Sequence, residues 1–151
     1  RRLTLKTSKG EITLHVGLGT FLPVSSLNLD EHVMHAEAYE ISDAAAAEVA
    51  RAKVAGRPVV AIGTTVARAL ESAALAGGGV APGAAETRLF IRPGYAFKTV
   101  DALVTNFHLP RSTLLMLVAA FSSRNIVLSA YSEAIRHSYR FYSYGDGMII
   151  S

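Results

Sequence analysis

The chain has 151 residues, half of them hydrophobic and 18% charged, with a formal charge of +3 and no cysteine. That length and composition exclude a disordered chain and fit one domain able to bury roughly two-thirds of its unfolded surface. The absence of cysteine excludes disulfides, thiolate metal sites and thiol nucleophiles within the chain, and makes the cytoplasm the natural setting.

Glu11 to Val16 alternates with period two and runs into Gly17-Leu18-Gly19-Thr20, which predicts a strand ending in a glycine turn. About twenty residues then read as a loop, long enough to suggest function or ordering by a partner. Asp43 suits the N-cap of an alanine-rich helix from Ala44 to Ala55, with Gly56 as its stop.

Arg57-Pro58 turns the chain into Val59 to Ile62, an apolar run that reads as a strand buried on both faces. Gly63-Thr64-Thr65 opens a predicted helix through Leu75, with Ala67, Leu70 and Ala74 on one face and Arg68 and Glu71 elsewhere. Gly77 to Gly79, Pro82 and Gly83 form a flexible loop.

Thr87 to Ile91 and Val100 to Thr105 read as two more strands, and Ser112 to Ser122 and about Leu128 to Tyr139 as two more helices. Between them, Thr105 to Thr113 crowds Asn106, His108, Ser112 and Thr113 where a core pattern should continue. Pro110 ends the preceding element, and Ser112 or Thr113 can cap a helix whose free N–H groups attract anionic or carbonyl oxygen.

Alternation of strand and helix predicts an α/β fold with a largely parallel sheet flanked by helices. In such sheets ligands gather beyond the carboxyl ends of strands, where His15 to Thr20, Gly63 to Arg68 and Thr105 to Ser112 all fall. The expectation is a shared rim holding His15, Thr64 and His108.

Short motifs do not identify the chemistry. Gly17 and Gly19 begin a dinucleotide fingerprint, but its third position is Leu22, and no phosphate-binding G-K-[ST] occurs. His32 and His35 near Glu37 do not make a metal-ligand spacing, so no metal is expected. No apolar run approaches the ~20 residues of a membrane span, and the eight from Leu114 to Phe121 read as a buried helix of a soluble protein with no membrane partner. Arg1, Arg2, Lys6 and Lys9 at one end and Arg124, Arg136, His137 and Arg140 near the other would form a basic face if the ends meet.

Longer blocks are more specific. Thr13 to Phe21, His32 to Glu37, Ala61 to Ser72, Leu89 to Tyr95, Thr105 to Leu114 and Tyr139 to Asp146 together resemble the S-adenosylmethionine:tRNA ribosyltransferase-isomerases of queuosine biosynthesis. The resemblance implies that residues 1–151 form one α/β domain, or part of one. They would be the carboxyl-terminal part of a larger α/β domain, lacking the family's inserted β-barrel and upstream segment. Two positions depart from the family pattern: Gly147, where alanine is usual, and Ser122-Ser123, where a glycine usually follows Ala-Phe-x.

The implied reaction moves and isomerises the ribosyl group of S-adenosylmethionine onto the aminomethyl-deazaguanine at the tRNA wobble position. Epoxyqueuosine forms, and adenine and methionine leave. It calls for S-adenosylmethionine as co-substrate, no metal and no other cofactor, and for the anticodon region of tRNA as partner. The chemistry needs a base for the carbon beside the sulfonium, a proton donor for adenine, and a dry pocket.

The candidates for proton transfer are His15, His35 and His108, with Glu37 orienting one of them or facing the sulfonium. Tyr142, Tyr144 and Phe97 are candidates for stacking on a base or contacting the sulfonium. Thr64, Thr65 and Asn106 suit hydroxyl or carboxylate recognition, and Arg68 suits phosphate or the methionine carboxylate. Gly17, Gly19, Thr20, Ser112 and Asp146 complete the expected substrate-binding set. The alternative reading is a non-catalytic module that binds tRNA or S-adenosylmethionine. Apolar surface left uncovered by a missing barrel would favour a homo-oligomer.

Overall fold

The computed structural model describes residues 2–7, 10–17, 29 and 32–151. In chain order its elements are β1 (Arg2–Thr7), β2 (Gly10–His15), β3 (Glu37–Ile41), α1 (Asp43–Val54), β4 (Val60–Ile62), α2 (Thr64–Ser72), β5 (Gly83–Thr87), β6 (Ala102–Asn106), α3 (Thr113–Ala120), α4 (Arg124–Arg136) and β7 (Gly147–Ile150). The strands divide into two sheets, β1-β2-β3-β5 and β4-β6-β7.

The first sheet is antiparallel throughout, and in the second only β4 and β6 run parallel, with β7 antiparallel to β6. This overturns the expected largely parallel sheet flanked by helices. Four strands account for the difference, β1 and β7 at the two ends of the sequence and two between them. Glu37–Ile41 lies inside the segment read as a loop, yet it alternates inward and outward, with Glu37, Tyr39 and Ile41 buried. A carboxylate at one inward position hides that period from a hydrophobicity pattern. Gly83–Thr87 pairs antiparallel with it, Ala38 opposite Glu86, so the strand expected at Thr87 to Ile91 ends where it was expected to begin.

Strand β4 also departs from expectation. Ala61 is fully buried, but Val60 and Ile62 are 49% and 64% exposed, so the run is covered on one face rather than two. At the other end of the chain, β7 pairs with β6, Ile149 opposite Val104. Gly147 is the close point of that pair, since a Cβ there would lie 2.7 Å from the Thr105 carbonyl oxygen.

Helix α1 starts at Asp43, and its cap is Ser42 rather than Asp43. The Ser42 Oγ accepts from Ala45 N at 3.3 Å and from Glu11 N at 2.9 Å, so one hydroxyl closes the helix start and ties it to β2. Gly10 permits the contact, because a Cβ there would meet Ala45 N at 2.6 Å. Ser112 caps α3 by accepting from Leu115 N at 3.1 Å, and Ser123 caps α4 by accepting from Ile126 N at 3.3 Å. Helix α4 therefore begins four residues before the expected Leu128.

Helix α2 packs on strands of both sheets and is the centre of the core. Ala67, Ala69 and Leu70 are buried there with Leu14, Ile41, Ile91, Leu103 and Val118. Its charged residues are buried too: Arg68 and Glu71 are each 4% exposed. Among the described residues no single helix is long and apolar enough to cross a membrane, and α3 meets α4 at a bend of 110°.

Candidate functional site

The end of β2 and the starts of α2 and α3 meet at a narrow cavity. Among the described residues its walls are Leu14, Met34, Thr64, Thr65, Arg68, Leu89, Phe90, Ile91, Thr113, Leu114 and Leu117. Gly63, the N-cap of α2, has φ 95° and supplies no side-chain cap. Its own N–H donates to Val104 O at 2.7 Å, which fixes the β4–α2 turn against β6. Two helix N-termini with their partial positive charge thus border the cavity, set in an apolar wall.

At its side lies a buried ion pair. Glu37, 2% exposed, is placed by its inward position at the start of β3, and its Oε1 accepts from Gly17 N at 2.9 Å. Its Oε2 faces the Arg68 guanidinium. Burial draws the Arg68 pKa down to about 10, so the group stays charged at neutral pH. Among the described residues Arg68 Nε has no hydrogen-bond partner. A guanidinium carries five N–H donors and loses their hydration when buried, so an open donor beside a cavity is a binding feature.

His108 occupies a different environment. Its Nε2 lies 2.8 Å from Thr105 Oγ1, and its backbone N–H donates to Tyr131 Oη at 2.7 Å. Burial pulls its pKa down to about 4, so the imidazole is neutral at pH 7 rather than poised there. Phe107 beside it packs into an aromatic cluster with Tyr131, Tyr139 and Phe141, at ring separations of 5.2, 5.9 and 5.0 Å. The Tyr142 N–H donates to Phe107 O at 2.9 Å, and Tyr142 holds φ 62°, a conformation rare outside glycine.

A second, open cleft is lined by Ile62, Gly63, Thr105, Asn106, Gly145, Gly147 and Met148 among others. Here Asn106 Nδ2 donates to Asp146 O at 3.1 Å, and Asp146 Oδ2 accepts from Arg140 N at 2.6 Å. The hydrogen bonds from Arg140 hold the Asp146 carboxyl below its usual range. The β4–α2 turn separates this cleft from the first.

The sequence-derived site is therefore only partly assembled. Thr64, Thr65 and Arg68 share the first cavity, and Glu37 with Gly17 braces it. Asn106 and Asp146 share the second, while Ser112 is committed to capping α3. His15 and His35 are exposed and line neither cavity among the described residues. His15, Thr64 and His108 thus occupy three different surroundings, although Leu14, the neighbour of His15, reaches the wall of the first cavity. Phe97 stacks on Phe121 at 3.7 Å, and Tyr144 is 71% exposed. Gly19 and Thr20 lie outside the described residues.

One buried charge escaped the sequence reading. Glu71 accepts from Tyr95 Oη at 3.0 Å and from the backbone N–H groups of Lys98, Thr99 and Val100 at 2.9, 2.9 and 2.8 Å. It pins the segment before β6 to α2. The available signal was a glutamate one turn from Arg68 within a helix of alanine, valine and leucine. Among the described residues no group of three or more metal-ligating side chains is placed to hold an ion.

Comparison with known proteins adds a family. Residues 3–150 match the family model described as "Queuosine biosynthesis protein". A relative from Moorella thermoacetica, named S-adenosylmethionine:tRNA ribosyltransferase-isomerase, is 58% identical over 139 residues, covering 92% of this chain and 41% of that protein. One of the same name from Thermus thermophilus is 63% identical over 139 residues, covering 92% and 40%. The crystal structure of an S-adenosylmethionine tRNA ribosyltransferase from Thermotoga maritima is similar with a TM-score of 0.70 at 47% identity, over 76% of this chain and 40% of that one. The chain thus spans about two-fifths of the length of the curated relatives it matches.

Proposed function

This chain belongs to the family of queuosine biosynthesis proteins, and from that premise we propose that it serves a tRNA-modifying S-adenosylmethionine:tRNA ribosyltransferase-isomerase. The observation that carries the reading is the match over nearly the whole chain to relatives of that name at about 60% identity. The substrates are S-adenosylmethionine and the anticodon region of a tRNA bearing aminomethyl-deazaguanine at the wobble position. The product is epoxyqueuosine, with adenine and methionine released.

The geometry supports a division of labour. The first cavity, with Thr64, Thr65 and Arg68 among its walls, takes part of S-adenosylmethionine. His108, neutral at working pH, hydrogen-bonds the ribosyl group, oriented by Thr105. Glu37 serves by holding Arg68, and the exposed ring of Tyr144 offers a face for a nucleobase. Asn106 and Asp146 border the cleft on the other side of the β4–α2 turn.

The test is turnover on an aminomethyl-deazaguanine anticodon stem-loop with S-adenosylmethionine, read as adenine release. It is run with this chain alone and with the remaining part of a full-length relative supplied in trans. Adenine release that requires the modified base supports the reading, and replacing His108 by Ala then abolishes it. Saturable binding without release in either arrangement assigns the chain to a binding module instead. An absence of binding to either substrate rejects both.

A further inference from the structure

We propose that Arg68 anchors a carboxylate at the wall of the first cavity, and that the ligand belonging there carries a free amino-acid carboxyl group. The inference deepens the functional reading above and rests on it. Four observations bear on it. Arg68 lines the cavity while 96% of its surface is buried, being 4% exposed, and its Nε has no hydrogen-bond partner among the described residues. One side of the guanidinium faces Glu37, which is itself tied to Gly17. The starts of α2 and α3, Thr64, Thr65 and Thr113, border the same space. The remaining wall is apolar, with Met34 and Leu117 in it.

Charge accounting selects the ligand. Arg68 and Glu37 cancel, so the surplus positive potential is that of two helix N-termini, each equivalent to roughly half a charge. One negative charge is therefore balanced, whereas a phosphate dianion leaves a buried excess. A carboxylate also matches the planar donor edge of a guanidinium, and the apolar wall suits the methylene carbons that follow it. The Glu37 carboxylate holds the Arg68 guanidinium in place at the cavity wall.

The experiment compares S-adenosylmethionine with its decarboxylated analogue by calorimetric titration of the 151-residue chain, with inorganic phosphate as a competitor. Loss of the carboxylate should weaken binding roughly 10- to 100-fold, the range of a charged hydrogen bond. In R68K, which keeps a positive charge opposite Glu37, the two ligands should bind within about threefold of each other, because the fork is gone. Equal affinities on the unaltered chain overturn the anchor and leave the functional reading standing. Preserved discrimination in R68K, or displacement by millimolar phosphate, overturns it as well. If R68K does not fold, the comparison on the unaltered chain decides alone. No binding of S-adenosylmethionine, whether by the chain alone or with the remaining part of a full-length relative supplied in trans, rejects the functional reading and this inference together.

Discussion

Helix α2 carries two buried charges one turn apart, and they are provisioned in opposite ways. Glu71 is surrounded by four donors, three of them backbone N–H groups of a single segment. Arg68 faces one carboxylate and a cavity, with a donor left open among the described residues. Burial alone does not separate them, since both are 4% exposed. Satisfaction does. A buried charge whose bonds are all made locks structure, and one whose bonds are incomplete beside a space is set to receive a ligand.

The comparison predicts how each site fails. Replacing Arg68 by Met leaves the Glu37 carboxylate without its counter-ion and should cost about 3–5 kcal/mol in urea unfolding, with most regained when Glu37→Gln is added. A single variant as stable as the parent would break the distinction. Glu71→Gln removes the charge that four donors converge on and should cost about 2–4 kcal/mol, while leaving discrimination between carboxylated and decarboxylated ligand unchanged. A loss of that discrimination would show that the two charges act as one unit.

His108 sharpens the same contrast through pH. Its pKa is about 4 in the fold and near 6.5 when unfolded, so protons bind preferentially to the unfolded chain. The stability it contributes is present above pH 6.5 and is lost as pH falls through 4, by at most about 3 kcal/mol. Urea midpoints measured from pH 7 to 4 should show this slope, and His108→Gln should flatten it. The smallest expected effect is at Ser42, where Ala removes the α1 cap and the partner of Glu11 N, lowering stability by about 1 kcal/mol. Amide exchange at Ala45 and Glu11 should rise together.

Much of the local plan was legible in the chain. The strand before Gly17, the helix ended by Gly56, the Gly63 turn into α2 and the Ser112 cap were each marked by a period or a capping residue. Glu37–Ile41 was not, because a pattern scored by hydrophobicity cannot know that an inward glutamate will find Arg68 thirty-one positions away. The candidate site divides the same way. Thr64, Thr65 and Arg68 share one cavity because they follow a strand at a helix start. His15 was put forward for its place at a strand end and its chemistry and His35 for its chemistry, and whether an imidazole is buried or exposed is a property of the fold.

What the residues determined unaided was family, the existence of most elements and the polar interruption after β6, since these depend on short-range order along the chain. Sheet direction, the one-sided cover of β4, the pairing of Glu37 with Arg68 and the enclosure of Glu71 were decided by packing. The reason is that a buried charge and an antiparallel partner are both long-range solutions, and the polar residue that forms one reads, letter by letter, like a residue meant for water.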